Sequence, residues 1–394
     1  MKQRATNSAD MKDSNRRLIL NLIRRQPVSR AELARLTGLT RAAVTLLVEE
    51  LLQQGLLSEA GIAETGFGRK PTLLALNPDH RLAIGVTIAR DVCHIGLVNF
   101  QGHPLIRQAV DLAGCTSAAP CLAILQKAVQ TMIDDASVQP EKILGIGINM
   151  PGPVDINAGT VLNPPNFPIW HQVPIARYFA EAFRTSAFLE NNATALALAE
   201  KNYGHGANLR SFLQLVVDTG IGAGIILDGR LYRGRNGFGC EIGHTTIDWQ
   251  GPSCSCGNNG CLEVYASVPA FLARLRQQGI AAGSWSAAVD LALAGQEAAK
   301  QAVADEARYL AAGLVNAMNL LELEAVVLSG DISYRPALLA EQIESAAREK
   351  AMTRHIHTWQ VLNSALGPEQ DIIAAAAIVL ERFFTGELTS QGIH

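Results

Sequence analysis

The chain has 394 residues and a formal net charge of −3, and apolar residues make up 48% of it against 18% for charged residues. This balance excludes a mostly disordered chain, and the length predicts two or three domains of roughly 100–200 residues. The longest apolar stretches, such as Leu82–Ala89 and Ile372–Leu380, are far shorter than the roughly 18 residues that a membrane span needs. The N-terminal segment has no apolar core of a signal peptide, so we expect a cytoplasmic protein with no membrane partner.

Charge is distributed unevenly along the chain. Residues 1–80, which we call the head, contain 12 Lys and Arg against 8 Asp and Glu and carry a net charge of +4. Residues 81–394, which we call the body, carry −7. A basic head on an acidic body suggests a nucleic-acid-binding module joined to a second function.

Three short helices are predicted in the head. An apolar stripe indicates the first helix over Ser14–Arg25. Ser29, followed three residues later by Glu32, forms a capping box that starts the second helix, and Gly38 ends that helix. Thr40 can cap the third helix.

The second and third helices, joined by a four-residue turn, predict a helix-turn-helix whose second member enters the major groove of DNA with its N-terminus first. Leu56–Glu59 and Thr72–Leu76 can pair as strands of a wing around the basic tip Gly68–Pro71, which suits a minor groove. The alternative is a plain three-helix domain that contacts proteins. The residues expected at the DNA are Ser29, Arg30, Thr40, Arg41, Ala42, Thr45, Arg69 and Lys70.

In the body, strands alternate with helices, which predicts a layered α/β fold. The predicted strands are Leu82–Ile88, His94–Phe100, Lys142–Ile148, Ala187–Glu190, Phe212–Val217, Ile225–Leu227 and Ala325–Leu328. The predicted helices include Ala119–Ala136, Val173–Phe183 and Ala193–Tyr203, and Asp218–Gly224 is predicted as a turn. Because roughly 310 residues exceed one comfortable core, we expect a smaller lobe over 81–190, joined by a C-terminal helix at 368–390, and a larger lobe over 191–367.

Cysteine use is also uneven. Cys254, Cys256 and Cys261 fall within eight positions, and the total of seven cysteines is odd. In a cytoplasmic chain an odd total argues against a disulfide framework, so the cluster suggests metal ligands. The alternative is three incidental cysteines in a reduced compartment.

Three short motifs surround the cysteine cluster: Glu241–His244 (EIGH), Gly251–Gly257 (GPSCSCG) and Gly260–Glu263 (GCLE). Together they resemble the signature of the ROK family of repressors and sugar kinases. Glu190–Ala193 (ENNA) resembles the sugar-site segment of the family, and Thr219–Gly224 resembles its second glycine-rich turn. The head is similar to that of the repressor branch, the NagC/XylR type, so the resemblance covers nearly the whole chain.

The resemblance implies a winged helix-turn-helix followed by a two-lobed, actin-like sugar-kinase fold. It places structural Zn²⁺ on His244, Cys254, Cys256 and Cys261, and such a set of four ligands leaves no position for a catalytic water. It assigns sugar binding to Asn191, Glu241, His244 and Glu263, with Asn192 beside them. Carboxylates accept hydrogen bonds from sugar hydroxyls, and an amide both donates and accepts them.

Four features depart from the pattern of the family's kinases. Asn192 stands where those kinases carry the Asp that acts as general base, and an amide cannot take that proton. The glycines of the first phosphate loop are absent from Gly85–Asp91, so backbone N–H groups cannot approach a phosphate there. Asp218 stands where a glycine is usual and would repel phosphates, and 328–331 (LSGD) replaces a pair of glycines. We therefore expect no kinase activity and no catalytic residue.

The resulting hypothesis is a sugar-responsive transcription regulator, with a repressor released by its effector as the default. We expect a homodimer or a tetramer on a palindromic operator. The effector is a sugar or, because Asn192 removes a negative charge near the 6-position, a sugar 6-phosphate; a protein effector is a third option. The alternatives to a regulator are an active sugar kinase with an added DNA-binding domain and a zinc-containing protein scaffold.

Overall fold

The computed structural model describes residues 8–62, 70–90, 92–165, 167–356 and 359–388. The chain forms two compact units. The first unit comprises Met1–Asn149, Pro174–Leu189 and Asp371–His394, and the second comprises Met150–Val173 and Glu190–Gln370. Within the described residues, no helix combines the length and the apolarity that crossing a lipid bilayer requires.

The first unit begins with three helices and a small antiparallel sheet of order β1-β3-β2. These elements are α1 (Ser8–Arg25), β1 (Val28–Ser29), α2 (Arg30–Thr37), α3 (Arg41–Gln53), β2 (Leu57–Ile62) and β3 (Thr72–Leu76). Each helix buries at least one apolar side chain completely (Ile19, Leu33 and Val44), so all three helices contribute to the core of the head. The helices and strands predicted for the head are confirmed, except that α1 begins earlier than predicted.

Capping explains where α2 and α3 begin. The Oγ atom of Ser29 accepts a hydrogen bond from the Glu32 N–H at 3.2 Å, and the Oγ1 atom of Thr40 accepts one from the Ala43 N–H at 3.2 Å. Gly38 ends α2 with φ 71°, a conformation that glycine adopts at little cost. The predicted caps and the tight turn between α2 and α3 are therefore present.

The rest of the chain alternates between strands and helices, as predicted. Up to Asn191 the elements are β4 (Leu82–Thr87), β5 (Cys93–Asn99), β6 (Pro104–Val110), α4 (Ala118–Asp135), β7 (Ile143–Met150), β8 (Val154–Asp155), β9 (Thr160–Val161), α5 (Ile175–Phe183) and β10 (Ala187–Asn191). After Asn191 they are α6 (Asn192–Tyr203), β11 (Phe212–Val217), β12 (Ile221–Leu227), β13 (Arg230–Tyr232), α7 (Leu262–Ala266), α8 (Val268–Gln277), α9 (Trp285–Leu293), α10 (Glu297–Leu321), β14 (Ala325–Gly330), α11 (Ala337–Lys350), β15 (Gln360–Asn363) and α12 (Gln370–Thr385).

The two larger sheets repeat one strand order. The sheet of the first unit has the order β10-β7-β4-β5-β6, and the sheet of the second unit has the order β15-β14-β11-β12-β13. In each sheet the central strand (β4 or β11) pairs antiparallel with the next strand of the chain and parallel with a later strand. The first two predicted strands of the body, β4 and β5, thus pair as an antiparallel hairpin.

The glycine-rich segment after β11 differs from the prediction. It was expected to be a turn as far as Gly224, but β12 already begins at Ile221. A Cβ atom on Gly224 would lie 2.5 Å from the carbonyl oxygen of Ala193, in α6. These glycines therefore let α6 pack closely on β12, and the turn is confined to the residues before Ile221.

Candidate functional site

One histidine and three cysteines of the second unit lie together. His244 ends a short 3-10 helix (Ile242–His244), Cys254 and Cys256 lie in the loop that follows, and Cys261 directly precedes α7. Their ligand atoms all lie within 4.8 Å of one another. The structure thus brings together the four side chains predicted to hold Zn²⁺.

Distances within this cluster fit a tetrahedral cation site. The Sγ atom of Cys254 lies 3.6 Å from Nδ1 of His244, and the Sγ atoms of Cys256 and Cys261 lie 3.7 Å apart. Nitrogen and sulfur ligands at about 2.0–2.3 Å from a tetrahedral Zn²⁺ are separated by about 3.5–3.8 Å. The donor set and its spacing therefore suit zinc.

Local hydrogen bonds shape the loop around these thiols. Burial raises the pKa of Cys261 to about 12, whereas a hydrogen bond from the backbone of Asn258 lowers the pKa of Cys256. The Asn258 amide also donates to Oγ1 of Thr246 at 2.8 Å and to Sγ of Cys261 at 3.5 Å. A thiolate at buried Cys261 therefore needs a nearby cation, and the Asn258 amide is placed to support it.

The two asparagines of the predicted sugar site lie at the junction of β10 and α6. Asn191 caps α6, because its Oδ1 atom accepts a hydrogen bond from the Ala193 N–H at 2.9 Å. Asn191 and Glu241 line the same small pocket of the second unit, and half-buried Asn192 does not line it. The other residues that line it are Pro153, Val154, Thr194, Gly222, Ala223, Gly237, Phe238, Gly239 and Cys240.

Three of the predicted sugar-site residues, Glu241, His244 and Glu263, are electrostatic neighbours. Burial raises the pKa of the Glu241 carboxyl, while His244 lowers this pKa and Glu263 raises it. The Oε2 atom of Glu263 accepts a hydrogen bond from the Ile221 N–H at 2.9 Å, at the start of β12. The structure thus groups Glu241, His244 and Glu263, and Glu241 also reaches the pocket that Asn191 lines.

A more open depression of the second unit lies on and after α11. Charged side chains of both signs line it, among them Glu341, Arg348 and His355. It contains none of the residues predicted to bind a ligand. The pocket of Asn191 and Glu241 is therefore the candidate sugar site.

An ion pair next to this pocket, between Glu190 and Arg233, was not predicted from the sequence, although Glu190 belongs to the segment that resembles the sugar site. The buried Glu190 carboxylate accepts one hydrogen bond from the Asn191 N–H at 3.2 Å and another from Nε of Arg233 at 2.9 Å. The carbonyl oxygen of Arg233 accepts the Gly239 N–H at 3.2 Å, so this pair ties β10 to the loop that leads to Glu241. The two residues lie 43 positions apart, and no motif connects them.

The turn before β12, where Asp218 was expected to depart from the kinase pattern, is held by an internal hydrogen bond. The Oδ1 atom of Asp218 accepts the Asp331 N–H at 2.7 Å, at the end of β14. Gly330 has φ 84°, and a side chain there would collide with the Asp218 carboxylate. In the first departing segment, Asp91 lies outside the described residues.

The start of α3 exposes three of the eight residues predicted to contact DNA. Thr40, Arg41 and Ala42 are exposed, and Thr45 is half-buried with its Oγ1 donating to the carbonyl oxygen of Arg41 at 2.9 Å. These side chains lie on the first two turns of one helix, beyond the tight turn at Gly38. They form the solvent-facing end of α3.

The other predicted DNA-contacting residues are placed differently. Ser29 is buried and its hydroxyl caps α2, and Arg30, the first residue of α2, is half-buried. Lys70 is exposed, and Arg69 lies outside the described residues.

Comparison with known proteins identifies the family. The sequence model of the ROK family matches residues 83–382. The xylose repressor of Caldicellulosiruptor bescii is 31% identical over 384 residues, which cover 94% of this chain and 96% of that protein. The solved structure of a ROK family transcriptional regulator, a homolog of the Escherichia coli MLC protein, matches with a TM-score of 0.81 and 27% identity over 95% of this chain and 97% of its own.

A sugar kinase matches the body. The structure of a ROK hexokinase from Thermus thermophilus has a TM-score of 0.64 and 30% identity, and the match covers 75% of this chain and 97% of the hexokinase chain. The body therefore has the α/β fold of these sugar kinases. The chain belongs to the ROK family.

Proposed function

We propose that this chain is a DNA-binding transcription regulator that responds to a sugar or a sugar phosphate and acts as a repressor released by that effector. The observation that carries the proposal is the exposed start of α3 (Thr40–Ala42) on a basic head joined to a ROK body. The relatives support it, because a xylose repressor matches 94% of the chain, whereas the hexokinase match leaves about a quarter of the chain without a counterpart.

We propose that the head is a winged helix-turn-helix. Helices α2 and α3 with the turn at Gly38 supply the helix-turn-helix, and β2 and β3 supply the wing, whose predicted tip includes Arg69 and Lys70. We further propose domain limits of 1–80 for the head, 81–190 with 368–390 for the smaller lobe, and 191–367 for the larger lobe. Dimeric or tetrameric chains would then present paired heads to a palindromic operator in the cytoplasm.

DNA binding is tested first by selecting duplexes from a random pool with the purified full chain. We expect a palindromic sequence to be enriched. Replacing Arg41→Ala should weaken binding to that duplex and reduce the salt slope of log K by about 1, as expected for one lost phosphate contact. The same result is expected for Arg69→Ala.

The matched control is Arg177→Ala, which removes an exposed arginine of the body that pairs with Glu181 at 2.7 Å. Its DNA affinity and salt slope should equal those of the wild type. An unchanged salt slope in Arg41→Ala would place Arg41 outside the interface. Failure of the wild type to enrich any duplex would contradict the proposed function itself.

The effector is tested by a thermal-shift screen of monosaccharides, xylose among them, their 6-phosphates where these exist, and ATP. A ligand at 100 times its dissociation constant stabilises the folded protein by about 2.7 kcal/mol, which is a visible shift. We expect a sugar or a sugar phosphate to shift the unfolding midpoint and to release the selected duplex. If neither a sugar nor a sugar phosphate shifts the unfolding midpoint, a protein effector is favoured.

A working sugar kinase is the alternative, and the hexokinase match of the body is the observation that favours it. A coupled ATP assay with the sugar found in the screen distinguishes the two. We expect no turnover, and none from Asn192→Asp either, because that variant restores the carboxylate but leaves Asp218 in the second turn. ATP-dependent turnover by the wild type would instead make the chain an enzyme.

We infer that His244, Cys254, Cys256 and Cys261 hold a structural Zn²⁺. Metal analysis of protein purified without chelator should give about one zinc per chain, since one tetrahedral set holds one ion. Chelation or Cys254→Ser should lower the unfolding midpoint, because metal-binding free energy is folding free energy. Cys115→Ser, a half-buried cysteine outside the cluster, should keep both the zinc and the midpoint.

A further inference from the structure

We propose that Arg24 is the positioning residue that fixes the orientation of the head on α12, and that this fixed orientation lets two heads read the two halves of a palindrome together. This inference rests on the proposed function. Every contact that carries it lies within the first unit. It assigns to α12 a role in placing the DNA-binding elements, in addition to its packing against the sheet.

The first step is that α12 is held tightly against the sheet of the first unit. Three neighbouring strands, β7, β4 and β5, each present a glycine to this helix. A Cβ atom on Gly147 would overlap the carbonyl oxygen of Ala375, one on Gly85 would lie 2.7 Å from the carbonyl oxygen of Ile372, and Gly96 also faces Ile372. Helix α12 thus lies closer to the sheet than any larger residue would allow.

The second step is that polar groups anchor the beginning of α12. Arg107 donates to both carboxylate oxygens of Asp371, at 3.1 and 3.0 Å, and Nδ1 of His94 lies 2.8 Å from the same carboxylate. Thr87 and Asn149 donate to the main-chain oxygen of Asp371 at 2.9 and 3.1 Å. The helix therefore cannot slide along the sheet without breaking these bonds, so α12 and the sheet behave as one piece.

The third step is the contact between the head and the end of α12. Arg24 of α1 pairs with Glu381 at 2.8 Å, and the two side chains are only 2% and 17% exposed. The Arg24 guanidinium also lies over the Phe384 ring, 4.2 Å from its centre, and Nδ2 of Asn21 donates to the Phe384 carbonyl oxygen at 3.0 Å. Phe100, which directly follows β5, stacks on Phe384 at 5.3 Å, which joins the head, α12 and the end of β5 in one cluster.

The geometry of Arg24 suits a role in orientation. A buried ion pair adds little to stability compared with a well-packed apolar pair, but it demands one arrangement of its partners. A planar guanidinium that both forms an ion pair and stacks on a ring fixes position and angle. Palindrome recognition depends on the spacing and angle of two heads, whereas one head on one half-site is free to find its own angle.

The test compares two duplexes in the full-length protein. One is the palindrome that the wild type selects, and the other carries a single half-site with its second half scrambled. Arg24→Met should bind the palindrome about 10-fold more weakly, because each head must now be ordered on binding, and should bind the single half-site within about 2-fold of the wild type. Arg24→Lys keeps the charge but not the planar group. Its affinity for the palindrome should lie between those of the wild type and Arg24→Met.

A double variant guards against a trivial loss of folding. Arg24→Met with Glu381→Met removes both charges of the pair and leaves neither unpaired, so it should recover the unfolding midpoint lost by the single variant while its palindrome affinity stays low. Equal weakening on both duplexes, unchanged palindrome affinity in Arg24→Met, or full recovery in the double variant would each overturn the inference. A wild type that selects no duplex would overturn the proposed function as well, and that result is visible before any variant is made.

Discussion

At the scale of single residues, Cys240 combines an unfavourable backbone conformation with a place at the candidate sugar pocket. Its φ is 75°, in the left-handed region, and its neighbour in the chain is Glu241. A residue with a Cβ atom pays about 1–2 kcal/mol in that region. Such strain persists where surrounding structure enforces it, and binding sites are common places for it.

Replacing Cys240→Gly should therefore stabilise the protein, by about 0.5 kcal/mol after allowing for the greater freedom that glycine gives the unfolded chain. Thermal unfolding measures the change. The matched opposite is Gly38→Ala, where φ is 71° and no heavy atom lies within 4 Å of the new Cβ, so only backbone strain is added. The free energy of unfolding of Gly38→Ala should be lower than that of the wild type by about 1 kcal/mol. A lower midpoint in Cys240→Gly would show that the thiol contributes more by packing than its backbone costs.

Functional residues could be predicted from the sequence where several ligand-type side chains lie within a short stretch of the chain. Cys254, Cys256 and Cys261 meet His244 as expected, because few other roles bring three cysteines and a histidine so close together. The hydrogen bond between Asp218 and Asp331 was not predictable, since its partners lie 113 positions apart. Such pairs form only once two strands of a sheet lie side by side.

At the scale of elements, apolar runs located the buried strands, whereas the exposed edge strand β6 was not predicted. Strand β4 is buried at every position and was predicted nearly to its ends. Strand β6 exposes most of its residues, so its sequence lacks the apolar pattern that marks a buried strand. The start of β12 was missed for another reason: its glycines indicate a turn when read locally, and their role in helix packing depends on α6.

The close approach of α12 to the sheet gives a sharp element-scale prediction. Gly147→Ala on β7 would place a methyl group against the carbonyl oxygen of Ala375, so α12 or the strand must move. We expect a loss of about 1–3 kcal/mol in unfolding free energy, the usual range for an overpacked core. Urea unfolding measures it. Gly283→Ala is the control, because nothing lies within 4 Å of its new Cβ and its stability should change little.

At the scale of the whole molecule, half-buried His80 and buried Glu306 give opposite pH dependences. Burial lowers the pKa of His80 from 6.5 to about 4, helped by the charges of Arg81 and Lys142. Burial also raises the pKa of Glu306 from 4.5 to about 7, although its ion pair with Arg274 opposes this shift. Between these values the folded state binds fewer protons than the unfolded state at His80 and more at Glu306.

The sign of each contribution follows by linkage. His80 makes the protein more stable as pH rises from about 4 to 6.5, and Glu306 makes it less stable as pH rises from about 4.5 to 7. In the wild type the two slopes offset each other over their shared range. In His80→Gln only the Glu306 contribution remains, so the stability of that variant should fall as pH rises. In Glu306→Gln only the His80 contribution remains, so the stability of that variant should rise with pH.

Unfolding midpoints measured from pH 4.5 to 7 check this pair of variants. Each variant serves as the control for the other, because their slopes must differ in sign. Parallel slopes in the two variants would contradict the assignment of opposite proton uptake to His80 and Glu306.

The hydrogen bond from the Asp331 N–H to Asp218 has a further consequence for single exchanges in this chain. Asp218→Gly would remove the carboxylate from the second turn but leave the Asp331 amide without that acceptor. On the proposed function, an acid placed at Asn192 alone would leave the Asp218 carboxylate where it is. Neither exchange by itself would therefore give this chain the chemistry of a kinase.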